Sequence, residues 1–260
     1  MAYAGTKGFD VSEHNGSEIN FDEMKKQGFE FVIIRAGYGK YLNQKDKCFE
    51  DNYRKAQKAG LHIGAYWYSY AVTPQEALAE VAVFYEIIKN KKFDFPVYLD
   101  IEEMKTLKSG KKNCDDIVYA FCNYLEQRKF FAGFYCSKFW VLNSFSKSTR
   151  ERFAFWLAEW GSKPTYTEQF GIWQSGIIKI ENCGIVGNAI DYDLCFVDYP
   201  KIIANVGYNN LDTIIHYVSE NDTIDNICKR YNITINELLK YNKLIHIGDR
   251  LVIKGEYNAL

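Results

Sequence analysis

The chain has 260 residues, enough for one large domain and a small one, and a formal net charge of −1. That balance offers no basic patch, which argues against nucleic acid as the main partner and against bulk attraction to anionic polymers. No apolar run approaches the length that crosses a membrane, so no membrane insertion is expected.

Lys7–Val11 reads as a short strand carrying Asp10, followed by the polar loop SEHNG with His14. A short helix over Asp22–Lys26 leads to strand Phe29–Arg35 and the glycine-bearing loop AGYGK. A helix over Cys48–Ala59 stops at Gly60, and strand Ile63–Ser69 follows. Thr73, Pro74 and Glu76 give the cap, first-turn and capping-box signals of the next helix. Its apolar stripe is Leu78, Val81, Tyr85 and Ile88. Pro96–Ile101 is a short apolar run, expected as a strand buried on both faces. Asn113 is then expected to cap a helix carrying Ile117, Phe121, Tyr124 and Leu125. Strand Phe131–Cys136, a helical stretch over Phe139–Phe145 and strands Phe155–Ala158, Gly171–Gln174 and Ala189–Tyr192 complete this part.

Eight strands, the first five separated mostly by helices, predict an α/β fold, a TIM-like β/α barrel. Residues 161–170 and 175–188 are too short or too Gly-rich for crossover helices. The barrel is therefore expected to be irregular and flattened, its last strands departing from simple βα order. The chain divides into a barrel domain at 1–200, a polar linker at 201–211 and a small βααβ unit at 212–254. In the small unit Asp222 is expected to cap one helix, and Thr234 with Glu237 the next. Its acids and bases cancel, so its binding should not be electrostatic.

The seven cysteines lack C-x-x-C pairs and suit reduced thiols. They and the four His show no ligand spacing, so no metal and no cofactor are expected. The start, MAYAGTKGFDV, has no basic segment leading into an apolar one, so synthesis in the cytoplasm without a signal peptide is expected.

In such barrels chemistry sits at the C-terminal ends of the strands. Asp100 and Glu102 lie two apart at the end of the Pro96–Ile101 strand, on one face, with Cα atoms roughly 6.5–7 Å apart. Were both ionised they would repel, so one is expected to hold a proton, the division of labour that glycoside hydrolysis needs. Alone the D-x-E pattern occurs often by chance. The other strand ends add the acids Asp10, Asp191 and Asp193 and the aromatics Tyr66, Tyr68, Tyr135, Trp160 and Trp173, which can stack on sugar rings. Arg35, Trp67, Glu159 and Gln174 lie at the same ends.

With KGFDVSEHNG, FVIIRAGYG, D-x-x-F-x-x-N at Asp46, Phe49 and Asn52, AGLHIGAYWYSY, PVYLDIE, GFYCS, WLAEW, IWQSG and AIDYD in this order, the chain resembles a glycoside hydrolase family 25 lysozyme over residues 7 to about 199. Residues 213–253 are similar to LysM modules, on HYVSENDTIDNICKRYNITINELLKYN and GDRLVI, with E-N-D-T replacing the commoner S-G-D-T. The resemblance implies an N-acetylmuramidase that cuts the β-1,4 bond between N-acetylmuramic acid and N-acetylglucosamine of bacterial peptidoglycan, held to that polymer by the LysM module. It implies Glu102 as general acid, Asp100 as stabiliser of positive charge or orienter of the 2-acetamido group, and Asp10 and Asp191 as the rest of an acidic floor. Tyr66, Tyr68, Tyr135, Trp160 and Trp173 would hold sugars, with Asp193 beside them as a further acid. The family often has His where Trp67 stands and Asn where Asp193 stands.

A leaderless enzyme of this kind fits a phage or prophage endolysin that acts at the cell wall after release. Two alternatives are a non-catalytic wall-binding protein, opposed by the presence of all four acids, and a chitinase-like glycosidase, opposed by the missing D-x-x-D-x-D-x-E run. A close retaining pair of carboxyls, a wider inverting pair and acetamido-assisted retention all remain open.

Overall fold

Runs that are apolar at every position become strands covered on both faces, and runs with helical spacing become the layer that covers them. The structure is a computed structural model and describes residues 5–211, 214–231, 233–241 and 247–253. Eight strands close into a barrel in chain order: β1 (Thr6–Val11), β2 (Phe31–Tyr38), β3 (His62–Tyr68), β4 (Val97–Asp100), β5 (Ala132–Ser137), β6 (Ala154–Ala158), β7 (Ile172–Lys179) and β8 (Ala189–Cys195). Around them lie α1 (Phe21–Lys26), α2 (Phe49–Lys58), α3 (Pro74–Ile88), α4 (Met104–Leu107), α5 (Lys111–Glu126), α6 (Lys138–Ser144), α7 (Lys147–Arg152) and α8 (Tyr199–Val206).

Strands β1 to β7 pair in parallel, whereas β8 runs antiparallel to both β7 and β1. This is the expected irregular barrel. An antiparallel neighbour needs only a hairpin, so the stretch 175–188 does without a crossover helix. Side chains alternate across the wall. Phe9, Val32, Ile34, Ala65, Trp67, Leu99, Phe134, Leu157 and Trp173 face outward into the core under the helices. Phe31, Ile33, Tyr66, Tyr98, Trp156, Ile172 and Cys195 face the lumen. Gly8 belongs to this inner set, and a Cβ there would sit 2.3 Å from the Phe31 ring. Phe31 in turn stacks on Phe95, with centroids 4.5 Å apart, and Tyr199 packs edge-on against Phe95. The N-terminal end of the lumen is thus plugged with rings, and polar side chains occupy the other end.

Three local expectations for residues 1–211 are corrected. On α3 the buried face is Ala77, Glu80, Val81, Phe84 and Ile88, while Leu78 is exposed. Glu80 belongs to the core because its carboxylate accepts the Ser69 hydroxyl and, at 3.0 Å, the Tyr70 amide of the loop after β3. Asn113 does not cap α5, whose N-cap is Gly110, and instead donates from its amide to the Val72 carbonyl at 2.9 Å. Residues 201–211 are not a free polar linker. Tyr199 and Ile203 of α8 are buried, and the wholly buried Asn209 donates to the Phe95 carbonyl and accepts from the Phe131 amide. Each contact satisfies a backbone group at the start of β4 or β5, so this segment completes the barrel floor.

The tail contains β9 (Ile214–Tyr217), α9 (Ile224–Tyr231), α10 (Ile235–Tyr241) and β10 (Arg250–Ile253), with β9 and β10 antiparallel. Val218, Ile227, Ile233, Leu238, Leu251 and Ile253 form its core. Thr223, not Asp222, caps α9, its hydroxyl accepting the Asn226 amide at 3.2 Å. Asp222 instead accepts the Ser219 amide and hydroxyl and faces His216 Nε2 at 3.0 Å. The Glu237 side chain, His246 and residues 1–4, on which expectations were placed, lie outside the described residues. No helix among the described residues is long and apolar enough to cross a membrane.

Candidate active site

The inner-facing positions of the strands converge at the C-terminal rim of β1 to β6. Asp10 points inward from β1, and the β1–β8 register sets it opposite Asp191. Asp193, two residues on along β8, lies opposite Gln174 of β7. Asp100 ends β4, in register with Tyr68 on one side and Tyr135 on the other. Glu102 keeps the same parity just beyond the strand and stands exposed on the rim.

The acids feel one another. Burial pushes the Asp10 carboxyl well above its ordinary range, with Asp193, Asp191 and Asp100 adding and the Gln174 amide opposing. Asp100 is raised by burial and then by Glu102, while Arg35 opposes. Crowding by surrounding protein raises Glu102 despite its place on the rim, and Glu103 and Asp191 push it further. Asp191 is raised by burial. So Asp10, Asp100, Glu102 and Asp191 lie close enough at one rim to act on one another's protons. Gathered acids of this kind hold protons that isolated carboxylates would release.

Gln174 is a hub that its place in the sequence does not announce. Its Nε2 donates to Asp10 Oδ2 at 2.8 Å, and its Oε1 accepts the Tyr135 hydroxyl at 3.0 Å and Trp160 Nε1 at 3.3 Å. One side chain thereby orients an acid, a lining tyrosine and a rim tryptophan. Trp160 is 63% exposed, which leaves its indole open to contact. The loop behind it is held by Glu159, which accepts Lys138 Nζ at 2.9 Å and the Thr165 and Tyr166 amides. Those bonds outweigh burial and hold the Glu159 carboxyl down at about 2. Tyr66 is buried at the foot of the site, edge-on to Trp156, and Tyr68 donates its hydroxyl to Glu103 at 2.8 Å.

Two expected contact residues do not reach the opening. Trp173 has the opposite parity to Gln174, is 2% exposed, and donates its Nε1 to the Glu159 carbonyl within the outer core. Asp193 is wholly buried beneath Asp10, with Trp156 Nε1 donating to its Oδ1 at 2.8 Å. Trp67, where His is common, is likewise an outward core ring, stacked on Phe84 and bonded to the Gly39 carbonyl.

Beside the acids a cavity of about 350 Å³ is lined by Glu13, His14, Arg35, Tyr38, Tyr68 and Tyr70. Its wall is built by Asp46, the first residue of the D-x-x-F-x-x-N pattern. Asp46 accepts Arg35 Nε at 2.8 Å and the Glu13 and Cys48 amides, while Arg35 Nη2 donates to Glu13. Phe49 and Asn52 of the same pattern are fully buried on α2. The pattern therefore ties the loop after β1 to β2 and to the start of α2. A signal for these lining residues existed in FVIIRAGYG, which carries both Arg35 and Tyr38. Among the described residues no group of three His, Cys, Asp or Glu is disposed to hold a metal ion.

The model of the glycosyl hydrolases family 25 matches residues 9–176, and that of the LysM domain matches residues 216–254. An autolytic lysozyme of Clostridium acetobutylicum is 30% identical over 159 residues, 61% of this chain and 46% of that protein. The chain spans less than half the length of the curated relatives it matches. The crystal structure of the CTP1L endolysin superposes with a TM-score of 0.67 at 26% identity, covering 77% of this chain and 70% of that one. A bacterial lysozyme from Streptomyces coelicolor shares the fold, with a TM-score of 0.65 at 23% identity over 80% of this chain and 99% of its own.

Proposed function

The chain belongs to the family 25 glycosyl hydrolases, and from that premise we propose that it is a lysozyme, an N-acetylmuramidase that hydrolyses the β-1,4 bond between N-acetylmuramic acid and N-acetylglucosamine in peptidoglycan. The observation that carries this reading is the gathering of Asp10, Asp100, Glu102 and Asp191 at one rim, with Glu102 raised toward a proton-holding form. Cleavage of a glycosidic bond needs a proton for the leaving oxygen and negative charge beside the ring as an oxocarbenium-like centre develops. Glu102, accessible and raised, is the general acid. Asp100, deeper and two residues away, supplies the negative charge or turns the 2-acetamido group toward the reacting carbon. Asp10 and Asp191 form the floor, with Asp10 held in place by Gln174. Trp160 offers a ring face to a sugar, and the tyrosine-lined cavity beside the acids accepts a neighbouring unit.

The tail, at about 212–254, acts as a LysM module that binds the same polymer. It raises the local substrate concentration without adding a contact at the acids. The likeness to the CTP1L endolysin favours an endolysin role at the cell wall after release.

The deciding experiment is digestion of purified peptidoglycan. The parent protein should leave N-acetylmuramic acid at the new reducing ends, read by mass spectrometry. Glu102→Gln should still pellet with walls while losing on the order of 10²–10⁴ in lysis rate. Equal lysis by the two proteins removes Glu102 from its role, and N-acetylglucosamine at the new ends removes the muramidase assignment.

A further inference from the structure

Glu80 is an acid in the core that the proposed mechanism does not use. It sits on the inner face of α3, 2% exposed, against the loop that joins β3 to α3. Its Oε1 accepts the Tyr70 amide at 3.0 Å, and its Oε2 accepts the Ser69 hydroxyl. Ser69 Oγ accepts the Ala71 amide at 3.1 Å, and the Ala71 carbonyl accepts the Thr106 hydroxyl of α4 at 2.7 Å. Glu80, Ser69, Ala71 and Thr106 are all buried, so a bond lost in this chain leaves a polar group unmet rather than hydrated.

Two parts of the site hang on that loop. Tyr68 and Tyr70 flank Ser69, their rings edge-on with centroids 5.1 Å apart, and both line the cavity beside the acids. The loop also grips the backbone on either side of Glu102. The Ser69 amide donates to the Asp100 carbonyl at 3.0 Å, the Tyr68 hydroxyl donates to Glu103, and Thr106 reaches back to Ala71. We propose that Glu80 is a positioning residue of the site, fixing from the core both the Tyr68–Tyr70 wall and the backbone that carries Glu102. Its part in catalysis rests on the hydrolase reading, and the brace itself does not. Burial pushes the Glu80 carboxyl up to about 7, and the brace holds on both sides of that value. Ionised, the carboxylate accepts the Ser69 hydroxyl; protonated, it donates to Ser69 Oγ while its other oxygen still accepts the Tyr70 amide. A glutamine reproduces the second pattern, and an apolar residue reproduces neither.

Glu80→Leu should lose at least about tenfold in kcat/KM of the folded protein, through a higher KM as the tyrosine wall loosens and a lower kcat as Glu102 drifts. Glu80→Gln should stay within about threefold of the parent. Thr106→Val cuts only the far bond and should lower kcat several-fold with KM unchanged. Val81→Ala opens a cavity on the same buried face of α3, so it should lower the melting temperature while the folded protein keeps parental kcat and KM. Hydrogen exchange read by mass spectrometry needs no substrate. Peptides covering 69–72 and 101–108 should exchange at least about tenfold faster in Glu80→Leu, and those covering 101–108 faster in Thr106→Val, with β1 and β2 unchanged. Parental kinetics or parental exchange in folded Glu80→Leu overturns the proposal, as does Glu80→Gln or Val81→Ala matching its kinetic loss. If Glu80→Leu does not fold, Thr106→Val decides, and parental kcat and exchange there overturn it. A parent that cuts no glycan ends the hydrolase reading, and the exchange measurements then decide the brace by themselves.

Discussion

Gln174→Glu keeps the shape of the hub and reverses one of its bonds. The amide Nε2 that donates to buried Asp10 Oδ2 at 2.8 Å becomes an oxygen, so two acceptors face each other in a site 5% exposed. A hydrogen bond to a charged group contributes about 1.5–3 kcal/mol, and leaving the buried acceptor unmet costs a further 1–3 kcal/mol or so. Protonation of the new carboxyl recovers part of this loss, so the expected cost is about 3 kcal/mol, roughly a hundredfold in kcat/KM. The bonds from Tyr135 and Trp160 survive, since Oε1 is retained. The loss should therefore appear mainly in kcat, and it should shrink as the pH falls and the new acid can donate again. The assay is reducing-end release from purified peptidoglycan, with thermal unfolding measured beside it to confirm that the protein is folded. A folded Gln174→Glu protein within threefold of the parental kcat/KM at neutral pH would refute the hub.

Trp160→Ala removes an exposed ring face and should raise KM several-fold with kcat little changed, a loss of about 0.5–1.5 kcal/mol. Trp173→Ala, one strand position from the hub but on the outer face, should instead destabilise the fold by roughly 3–5 kcal/mol without a specific change in KM, measured by denaturant unfolding. Glu159 is held at about 2 against an ordinary 4.5, so its contribution to stability is present above 4.5 and is lost as the pH falls toward 2. The melting temperature of the parent should therefore fall more steeply than that of Glu159→Gln between those pH values. Parallel curves would show that the Glu159 bonds do not hold the loop in solution.

The barrel was legible because its strands are short apolar runs separated by turn signals, and the pair Asp100 and Glu102 was legible because two residues two apart at a strand end share a face. What failed was parity where nothing fixed it. IWQSG places a large aromatic next to a polar residue, and only the pairing partners decide that Gln174 faces the lumen and Trp173 the helices. A similar ambiguity of facing made Leu78, rather than Glu80, look like the core residue of α3. Glu80 is inside because the loop after β3 needs an acceptor, and that demand arises from residues ten and eleven positions away. Residues 201–211 looked like a linker because they are polar. Yet Asn209 is buried by the backbone groups it satisfies, which composition does not register.

Asp191 was found by a rule that does not apply to its strand. Strand ends carry the chemistry of a parallel barrel, but β8 runs backward, so its beginning lies at the rim and its end at the plug. Thr6 pairs with Cys195 at the bottom, and Asp10 pairs with Asp191 at the top. Had β8 been parallel, Cys195 would stand beside the acids and Asp191 below them. The reversal also continues the sheet past the rim. Ile177 pairs with Asp191 and Lys179 with Ala189, forming a hairpin arm that rises beside the site. Its register shifts between Gln174 and Gly176, just where Trp160 packs against Gly176. The antiparallel strand therefore supplies two things a parallel one could not, an acid opposite Asp10 and a wall above it.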